Sequence, residues 1–263
     1  MAGNNKVKVI VIGASGRMGR TVCGAVAAED DLELAAAVDS AFASDRARLE
    51  FPFAGVPLYP ALDDCLASES ADVAVDFTVP ASVFDNIMSC LSHEVNCVVG
   101  TTGLTGAQLV EIERQCQQGG ASCLVAPNFA IGAVLMMDIA QVVARYMPYC
   151  EITELHHDKK LDAPSGTALR TAEMISAARL DCPDVPGPEG SVARGLNHQG
   201  IPIHSVRLPG LVAHQEIVFG GQGQTLTIRH DSISRESFMP GVLLAVRRVL
   251  ELDGLVVGLE KVM

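Results

Sequence analysis

Short apolar runs alternate with segments of helical period along the first half of the chain. Five of the runs are predicted to be strands, and the first is rich in β-branched residues, which is typical of parallel strands buried on both faces. The predicted strands are residues 7–12, 32–38, 71–78, 96–100 and 122–126. Helices are predicted after the first run, through Met18, Val22 and Val26, and at residues 80–93 and 105–118. This alternation predicts an α/β fold with a doubly wound parallel sheet.

The pattern changes after about residue 130, where strands and helices no longer alternate one by one. The predicted helices are residues 131–146, 165–180 and 236–252. The predicted strands are residues 151–156, 203–208, 213–219 and 225–231, with a turn at 220–223 between the last two. Residues 181–200 are rich in proline and glycine and are predicted to lack regular structure. The second half is therefore predicted to be an α+β domain with an open mixed sheet.

A glycine-rich turn, residues 13–19, separates the first predicted strand from the first predicted helix. Gly13 allows a tight turn, Gly16 lets the backbone approach a pyrophosphate, and Gly19 lets the helix pack against the sheet. The N–H groups of the helix N-terminus would bind the phosphates, and Arg17 adds a positive charge there. This context favours a dinucleotide site of the Rossmann type over an ordinary turn. The candidate contacts are Gly13, Ala14, Ser15, Gly16, Arg17 and Met18.

Asp39 ends the second predicted strand, 20 residues after Gly19. An acid at this position hydrogen-bonds the adenosine ribose and repels a 2′-phosphate. The next residue is Ser40 rather than a basic residue, although Arg46 and Arg48 follow shortly afterwards. We therefore expect NADH to be used at least as well as NADPH.

Further candidate cofactor contacts lie where the other parallel strands end. Ligands of doubly wound sheets bind beyond the carboxyl ends of the strands, and small hydroxyl residues there suit a nicotinamide and its ribose. The residues at these ends are Phe77, Thr78, Gly100, Thr101, Thr102, Ala126, Pro127, Asn128 and Phe129. For each of them taken alone, ordinary loop chemistry is an equal alternative.

The charge balance and the aromatic content argue against nucleic acid as the main partner. The chain has 19 Lys and Arg against 31 Asp and Glu, a formal net charge of −12, and 4% aromatic residues with no Trp. An acidic surface repels phosphate backbones, and a stacking platform needs aromatic rings. With 49% hydrophobic residues the chain can bury a core, yet no apolar run reaches the roughly 18 residues that span a bilayer. We expect a cytoplasmic protein without membrane contact.

The eight cysteines contain no C-x-x-C pair, and most lie in apolar surroundings. We interpret them as small buried hydrophobic residues in a reducing compartment. A nucleophile or a metal cluster is the alternative, but the spacing rules for zinc do not favour it.

The densest cluster of ionisable residues is the segment 154–167. Two lysines and two histidines precede Ser165, a good N-cap whose helix would offer N–H groups to an anion. In an acidic chain this basic cluster fits a small di-anionic substrate, and its imidazole and ammonium groups suit proton donation near neutral pH. A solvated loop before a capped helix is an equal alternative. Metal ligation is disfavoured because the adjacent His156 and His157 point to opposite faces of a strand.

Three segments of the chain resemble the 4-hydroxy-tetrahydrodipicolinate reductase (dihydrodipicolinate reductase) family. They are residues 13–20, 126–129 and 154–167, and the most specific part is 160–168. The resemblance extends over essentially the whole chain. The family usually has a further basic residue or histidine at position 158 or 159. This chain has Asp158 and Lys159 there, so the local charge differs, but the spacing from His156 to Lys160 is kept.

The resemblance implies NAD(P)H-dependent reduction of 4-hydroxy-tetrahydrodipicolinate, a small di-anionic heterocycle, in diaminopimelate and lysine biosynthesis. It implies that His156 is a proton donor and acceptor and that Lys160 is a second proton donor. The substrate-binding residues that it implies are His157, Lys160, Gly166 and Thr167, the last two at a ring carboxylate. It also implies a homotetramer formed through the sheet of the second domain.

We accordingly expect a dinucleotide-binding domain at residues 1–129, with a C-terminal helix within 236–263 packed back on it. Residues 130–235 would form a domain for substrate binding and oligomerisation. Two alternatives stay open: another dehydrogenase of the aspartate family, and a non-catalytic NAD(H)-binding redox sensor. A semialdehyde dehydrogenase would need an activated cysteine nucleophile, and a sensor would not need the array from His156 to Lys160.

Overall fold

The computed structural model describes residues 6–180 and 192–263. The contacts within the chain divide it into two compact units. The first unit comprises Met1–Phe129 together with Phe238–Met263, and the second unit is Ala130–Ser237. The second unit is thus one continuous insertion into the sequence of the first. No helix in the described ranges is long and apolar enough to span a membrane.

The helices and strands of the described residues are numbered in chain order. The strands are β1 (Val7–Ile12), β2 (Leu32–Val38), β3 (Leu58–Tyr59), β4 (Val73–Asp76), β5 (Asn96–Val99), β6 (Cys123–Val125), β7 (Tyr149–His156), β8 (Leu196–His198), β9 (Ile201–Arg207), β10 (Ala213–Gly221), β11 (Gln224–Ser232) and β12 (Leu255–Val257). The helices are α1 (Arg17–Ala28), α2 (Asp45–Leu49), α3 (Leu62–Ser68), α4 (Val83–Ser92), α5 (Gly106–Gly119), α6 (Ile131–Ala144), α7 (Gly166–Ala178) and α8 (Met239–Arg248).

A seven-stranded sheet forms the centre of the first unit, in the order β12-β6-β5-β4-β1-β2-β3. Every neighbouring pair of its strands is parallel. All four residues of β4 and the last four of β1 are buried, as expected for central strands of a sheet covered on both faces. The predicted doubly wound α/β sheet is confirmed. It has two additional edge strands, β3 and β12, that the hydrophobic pattern did not reveal.

The end of the chain is not the single helix predicted at residues 236–252. Helix α8 ends at Arg248, and after a short 3₁₀ turn the chain passes through Gly254, whose φ is +87°. Strand β12 then pairs in parallel with β6, and the Leu255 N–H donates to Glu113 Oε2 at 2.6 Å. The positive φ of Gly254 turns the chain before the strand, and the β-branched Val256 and Val257 favour the strand itself. Three residues are too few to show a period, which is why the prediction missed this strand.

The second unit has the predicted open mixed sheet. The strand order is β11-β10-β7-β9-β8, with β7 and β9 parallel and the other neighbouring pairs antiparallel. In β7 the buried Cys150, Ile152 and Glu154 alternate with more exposed residues, so one face of the sheet is covered and the other is open. Helices α6 and α7 pack against the sheet. The turn between β10 and β11 is shorter than the predicted 220–223, because β10 continues to Gly221.

Part of the segment predicted to lack regular structure, residues 181–200, forms a strand. Residues 181–191, including Cys182, lie outside the described residues. Strand β8 pairs with β9 in antiparallel orientation, and the turn between them contains Gln199 and Gly200 with φ of +52° and +78°. The Asn197 side chain accepts the Gly200 N–H at 2.9 Å and stabilises this turn. The prolines on which the prediction rested all precede this hairpin.

The seven cysteines in the described residues are all free and buried, as predicted for them. Burial raises the pKa of the Cys23 and Cys65 thiols to about 12 and that of Cys150 to about 11. At pH 8 such a thiol is ionised in at most about one molecule in a thousand.

We therefore expect no more than one of the eight thiols to react rapidly with the disulfide reagent DTNB at pH 8. Thiolate is the reacting species, and burial keeps it scarce. All eight thiols should react once the protein is unfolded in denaturant. Two or more thiols reacting rapidly in the native protein would contradict their burial.

Candidate active site

The glycine-rich turn after β1 is packed so tightly that two of its glycines cannot carry a side chain. Gly13 has a φ of +81°, and a Cβ there would lie 2.7 Å from the Phe77 carbonyl oxygen. A Cβ on Gly19, in the first turn of α1, would lie 2.0 Å from the Gly13 carbonyl oxygen. The Gly16 N–H donates to that same oxygen at 3.1 Å. The helix therefore begins in direct contact with the turn, as a dinucleotide cradle requires.

The N-terminus of α1 is open to a ligand. Gly16 is its N-cap, and the first turn has neither a capping side chain nor an acidic residue. The first N–H groups of the helix can therefore bind phosphate oxygens, and the helix dipole adds positive potential. Among the predicted contacts here, Ala14 is buried, Met18 is half-buried and Arg17 is exposed.

Asp39 holds the glycine-rich turn against the end of β2. Its Oδ2 accepts the Ser15 N–H at 3.0 Å, and its Oδ1 accepts the Ala41 N–H at 2.9 Å. Each carboxylate oxygen has a second lone pair, so the side chain can still accept hydrogen bonds from ribose hydroxyls. The predicted ribose contact is thus compatible with a bracing role that the prediction did not include.

A pocket of about 500 Å³ in the first unit brings many of the predicted nucleotide contacts together. The predicted residues in its lining are Gly13, Ser15, Gly16, Asp39, Phe77 and Thr78. The lining residues that the prediction did not contain include Pro60, Leu62, Ser82 and Asn86. Their positions depend on how loops and helices fold back over the sheet, which no local pattern reveals.

The buried carboxylate of Asp76 fixes the loops at the ends of β4 and β5. Its Oδ1 accepts hydrogen bonds from the Thr78 N–H, the Thr78 hydroxyl and the Thr101 hydroxyl at 2.9, 2.8 and 2.8 Å. Its Oδ2 accepts one from Asn86 Nδ2 at 2.8 Å. Thr78 and Thr101 are predicted cofactor contacts, whereas the prediction omits Asp76, which orients both. The sequence could have indicated this role of Asp76, since an acid that ends a strand of buried residues needs hydrogen-bond donors.

Three further predicted contacts, Phe77, Gly100 and Phe129, lie together. A Cβ on Gly100 would lie 2.2 Å from the Phe77 ring, whose centroid is 5.7 Å from that of Phe129. The glycine therefore makes room for the aromatic ring. The remaining predicted contacts are the buried Ala126, the half-buried Asn128 and the exposed Thr102 and Pro127.

The predicted proton donor His156 ends β7 beside a buried acid. Its Nδ1 lies 2.5 Å from Glu154 Oε2. Glu154 is 0% exposed and also forms a bidentate ion pair with Arg207 of β9, at 2.7 and 2.8 Å. Burial would raise its pKa, but hydrogen bonds from His156, Arg207 and a serine hydroxyl outweigh burial and lower the pKa of Glu154 to about 2. Glu154 is therefore ionised at neutral pH.

Neither Glu154 nor Arg207 has a role in the prediction from sequence. The alternation along β7 places Glu154 on the covered face of the sheet, and a buried acid requires a partner. The sequence alone could therefore have indicated that Glu154 is buried and paired. Arg207 lies 53 residues further along the chain, and only the parallel register of β7 and β9, which pairs His156 with Arg207, brings it to the acid.

Lys160 lies in the turn after β7 and has an acidic partner of its own. Its N–H donates to the His157 carbonyl at 3.2 Å, and its Nζ lies 2.8 Å from each carboxylate oxygen of Asp162. The hydrogen bond from Lys160 lowers the pKa of Asp162. The Asp162 side chain is 60% exposed, so the pair is weak and a substrate carboxylate can replace it. The basic cluster is therefore less positive in the free protein than its sequence suggests.

The N-terminus of α7 forms the third part of the cluster. Ser165 caps the helix by accepting the Ala168 N–H at 3.2 Å, as predicted, and its own N–H donates to Glu154 Oε1 at 3.2 Å. Gly166 is exposed, and a Cβ there would have nothing within 4 Å, so the first turn of the helix has room for a ligand. Thr167 is half-buried. Across the described residues, no group of His, Cys, Asp and Glu side chains is arranged to hold a metal ion.

Nearly the whole length of the chain matches one family of known proteins. Family models for the N-terminus and the C-terminus of dihydrodipicolinate reductase match residues 7–129 and 132–263. The chain belongs to the dihydrodipicolinate reductase family. The resemblance inferred from three motifs is thereby confirmed, and with it a pyridine nucleotide-dependent reductase.

Relatives of known name support the same family. The 4-hydroxy-tetrahydrodipicolinate reductase of Halalkalibacterium halodurans is 49% identical over 97% of this chain and 99% of that protein. The enzyme of the same name from Moorella thermoacetica is 48% identical over 98% of each.

Solved structures share the fold. The dipicolinate-bound dihydrodipicolinate reductase from Paenisporosarcina sp. TG-14 is 43% identical, with a TM-score of 0.88 over 98% of this chain and 100% of that one. A probable dehydrogenase from Thermotoga maritima has a TM-score of 0.67 over 97% of this chain and 92% of that one, at 12% identity. The second likeness indicates a common fold alone.

Proposed function

We propose that the chain reduces 4-hydroxy-tetrahydrodipicolinate to tetrahydrodipicolinate with NADH or NADPH, on the route to diaminopimelate and lysine. The observation that carries the proposal lies in the second unit. There His156, the turn of Lys160 and the N-terminus of α7 are linked through one buried carboxylate and its arginine. The names of the relatives, and the dipicolinate bound to one of them, support this substrate class.

The first unit has a cradle that fits a dinucleotide. The uncapped N-terminus of α1 and the close packing of Gly13 and Gly19 present backbone N–H groups to a pyrophosphate, and Asp39 lines the same pocket. When bound, the nucleotide would supply a hydride to ring C4 of the substrate, whose 4-hydroxyl group leaves as water, so that substrate, reduced nucleotide and one proton give tetrahydrodipicolinate, oxidised nucleotide and water. The residues proposed to hold its nicotinamide half are Phe77, Thr78, Gly100, Thr101, Thr102, Ala126, Pro127, Asn128 and Phe129.

The second unit has the groups to bind a small di-anion. The N–H groups of Gly166 and Thr167 lie at the positive end of the α7 dipole and would bind a ring carboxylate together with the Lys160 ammonium. That carboxylate would replace the exposed Asp162 as the partner of Lys160, so the charge around the ammonium is conserved. His157, half-buried after the end of β7, would contact the substrate as well.

His156 would supply the proton that the reduced ring requires. Glu154 holds its Nδ1, which leaves Nε2 as the nitrogen that can donate. Reduction at ring C4 raises the electron density of the ring, and a positioned imidazolium donates a proton where that density accumulates. The Lys160 ammonium would stabilise the developing charge and serve as a second proton donor.

The proposal is tested by mixing the purified protein with freshly generated 4-hydroxy-tetrahydrodipicolinate and NADH or NADPH. We expect the absorbance of the reduced nucleotide to fall at a rate proportional to enzyme concentration. Dipicolinate, a planar di-anion, should inhibit in competition with the substrate. Binding of NADH without its oxidation in the presence of this substrate would instead favour a redox sensor.

We also expect NADH to support a kcat/KM at least as high as that with NADPH. Asp39 repels a 2′-phosphate, and Arg48, one of the two nearby arginines, is engaged elsewhere, because its Nε donates to the Phe42 carbonyl at 2.6 Å. Asp39→Asn removes the repulsion and should raise the ratio of kcat/KM for NADPH to that for NADH about tenfold. A strong preference of the unmodified enzyme for NADPH would refute this expectation.

A further inference from the structure

We propose that Glu154, paired with Arg207, is the positioning residue of the substrate site. Its carboxylate would set both the orientation and the donating nitrogen of His156, and would fix that ring relative to the N-terminus of α7. This inference rests on the proposed function, because it concerns the same proton donor.

Both carboxylate oxygens of Glu154 are fully engaged. Its Oε2 accepts His156 Nδ1 at 2.5 Å and Arg207 Nη1 at 2.8 Å. Its Oε1 accepts Arg207 Nη2 at 2.7 Å and the Ser165 N–H at 3.2 Å. These contacts join β7, β9 and the N-cap of α7. Because the side chain is 0% exposed, water cannot replace any of these donors, and the loss of one leaves a buried polar group unpaired.

Arg207 extends the network to the turn that carries Lys160. Its Nη2 also donates to the Asp162 carbonyl at 2.7 Å, and the Asp162 side chain holds Lys160 Nζ. One carboxylate–guanidinium pair thus fixes three groups proposed to meet the substrate: the His156 ring, the first turn of α7 and the backbone beside Lys160. A site is held in its productive geometry by such supporting contacts.

Glu154 also decides which nitrogen of His156 meets the substrate. A carboxylate at Nδ1 keeps a proton there, so Nε2 carries the lone pair in the neutral ring and the proton in the imidazolium. Nε2 has no hydrogen-bond partner among the residues that the structure describes. Arg207 stabilises the ionised carboxylate, so Glu154 does not take the proton from His156.

Among the described residues, the other elements beside His156 place no second carboxylate against its ring. The next residue along the chain is His157, and the turn after it contains the Lys160–Asp162 pair. On β10 the residue in register with His156 is Ala213, which has no charge, and on β9 it is Arg207 itself. The charge on Glu154 is thus the negative charge in direct contact with the ring.

The variant Glu154→Gln keeps the size of the side chain and removes its charge. We expect kcat for NADH-dependent reduction to fall about 10- to 100-fold. The Kd for NADH, measured by fluorescence titration, should stay at its original value because the nucleotide pocket belongs to the first unit. In the pH profile of kcat/KM, the limb at high pH reports loss of the proton that is donated to the substrate. In Glu154→Gln this limb should move to lower pH, since the imidazolium has lost its counter-charge.

The pH profile separates positioning from a merely structural role, which would lower activity equally at every pH. Glu154→Asp keeps the charge and should leave the limb near its original pH. An undiminished kcat in Glu154→Gln, or a limb that does not move, would overturn the proposal.

Glu151→Gln is the matched control. Glu151 lies on the same strand, on the open face, and it too pairs with a histidine and an arginine: His204 Nε2 at 2.8 Å, and Arg194. Its replacement removes similar interactions without touching His156, so kcat and its pH profile should not change. If both variants lose activity alike, the effect of Glu154→Gln is a general weakening of the sheet, and the proposal is wrong.

A measurement on the unmodified protein decides the matter if Glu154→Gln does not fold. Nitrogen NMR shifts of labelled histidine distinguish the two neutral tautomers, and the His156 signals are assigned by their loss in His156→Asn. We expect the neutral ring to carry its proton on Nδ1, and a proton on Nε2 would overturn the proposal. This readout needs no turnover. A protein with the Nδ1–H ring that fails to reduce the substrate would refute the proposed function while retaining the role of Glu154.

Discussion

The variants Lys160→Ala and His156→Ala are expected to lose at least ~100-fold in kcat, the scale of a general acid or a charge clamp. His156→Ala removes the ring whose Nε2 is proposed to face the substrate, and Lys160→Ala removes the ammonium proposed to lie beside a substrate carboxylate. Steady-state oxidation of NADH at saturating substrate measures the effect. The Kd for NADH should not change, because neither residue belongs to the first unit.

The adjacent residues provide the controls for this pair. Lys159 is exposed, and Lys159→Ala removes the same charge one position away, so its kcat should stay close to that of the unmodified enzyme. His157→Ala should act mainly on KM, since His157 is proposed to bind substrate without donating a proton. Near-normal turnover of both Lys160→Ala and His156→Ala would remove these residues from the chemistry.

Gly19→Ala is expected to destabilise the protein by about 3 kcal/mol and to abolish nucleotide binding. The new methyl group would lie 2.0 Å from the Gly13 carbonyl oxygen and 2.7 Å from Ala14 Cα. These are backbone atoms that cannot rotate away, so α1 must move off the turn and the phosphate cradle opens. Urea unfolding and fluorescence titration with NADH measure the two effects.

Gly24→Ala is the control on the same helix. A Cβ there would lie 3.6 Å from the Phe53 ring, an ordinary contact, and alanine favours the helix by roughly 0.5–1 kcal/mol over glycine. This variant should be slightly more stable and should bind NADH normally. Equal stability of Gly19→Ala and Gly24→Ala would show that the close approach at Gly19 is not required.

The central strands of the first unit were predictable because burial on both faces leaves an unbroken apolar run. β1 and β2 have the predicted bounds, 7–12 and 32–38. The edge strands β3 and β12 have two and three residues, too few for a period. They form because a neighbouring strand presents unpaired backbone groups, and that condition depends on the assembled sheet. The short edge strand β8 forms for the same reason, because β9 presents unpaired backbone groups to it.

The candidate site was predictable wherever its residues are neighbours in sequence. The glycine-rich turn satisfies local steric demands, and the segment from His156 to Thr167 follows one strand. The partners of these residues were not predictable. Arg207 reaches Glu154 only through the register of β7 and β9, and the pairing of Lys160 with Asp162 depends on the shape of a turn.

The strand β12 has a consequence for the order in which the protein is made. It completes the sheet of the first unit, yet the ribosome synthesises it after the entire second unit. The edge of β6 therefore waits unpaired for roughly ten seconds at ordinary translation rates, and an open edge is a template for aggregation. The second unit is continuous and can close its own sheet as soon as β11 emerges. The nucleotide-binding unit, although it begins first, is the last to be finished.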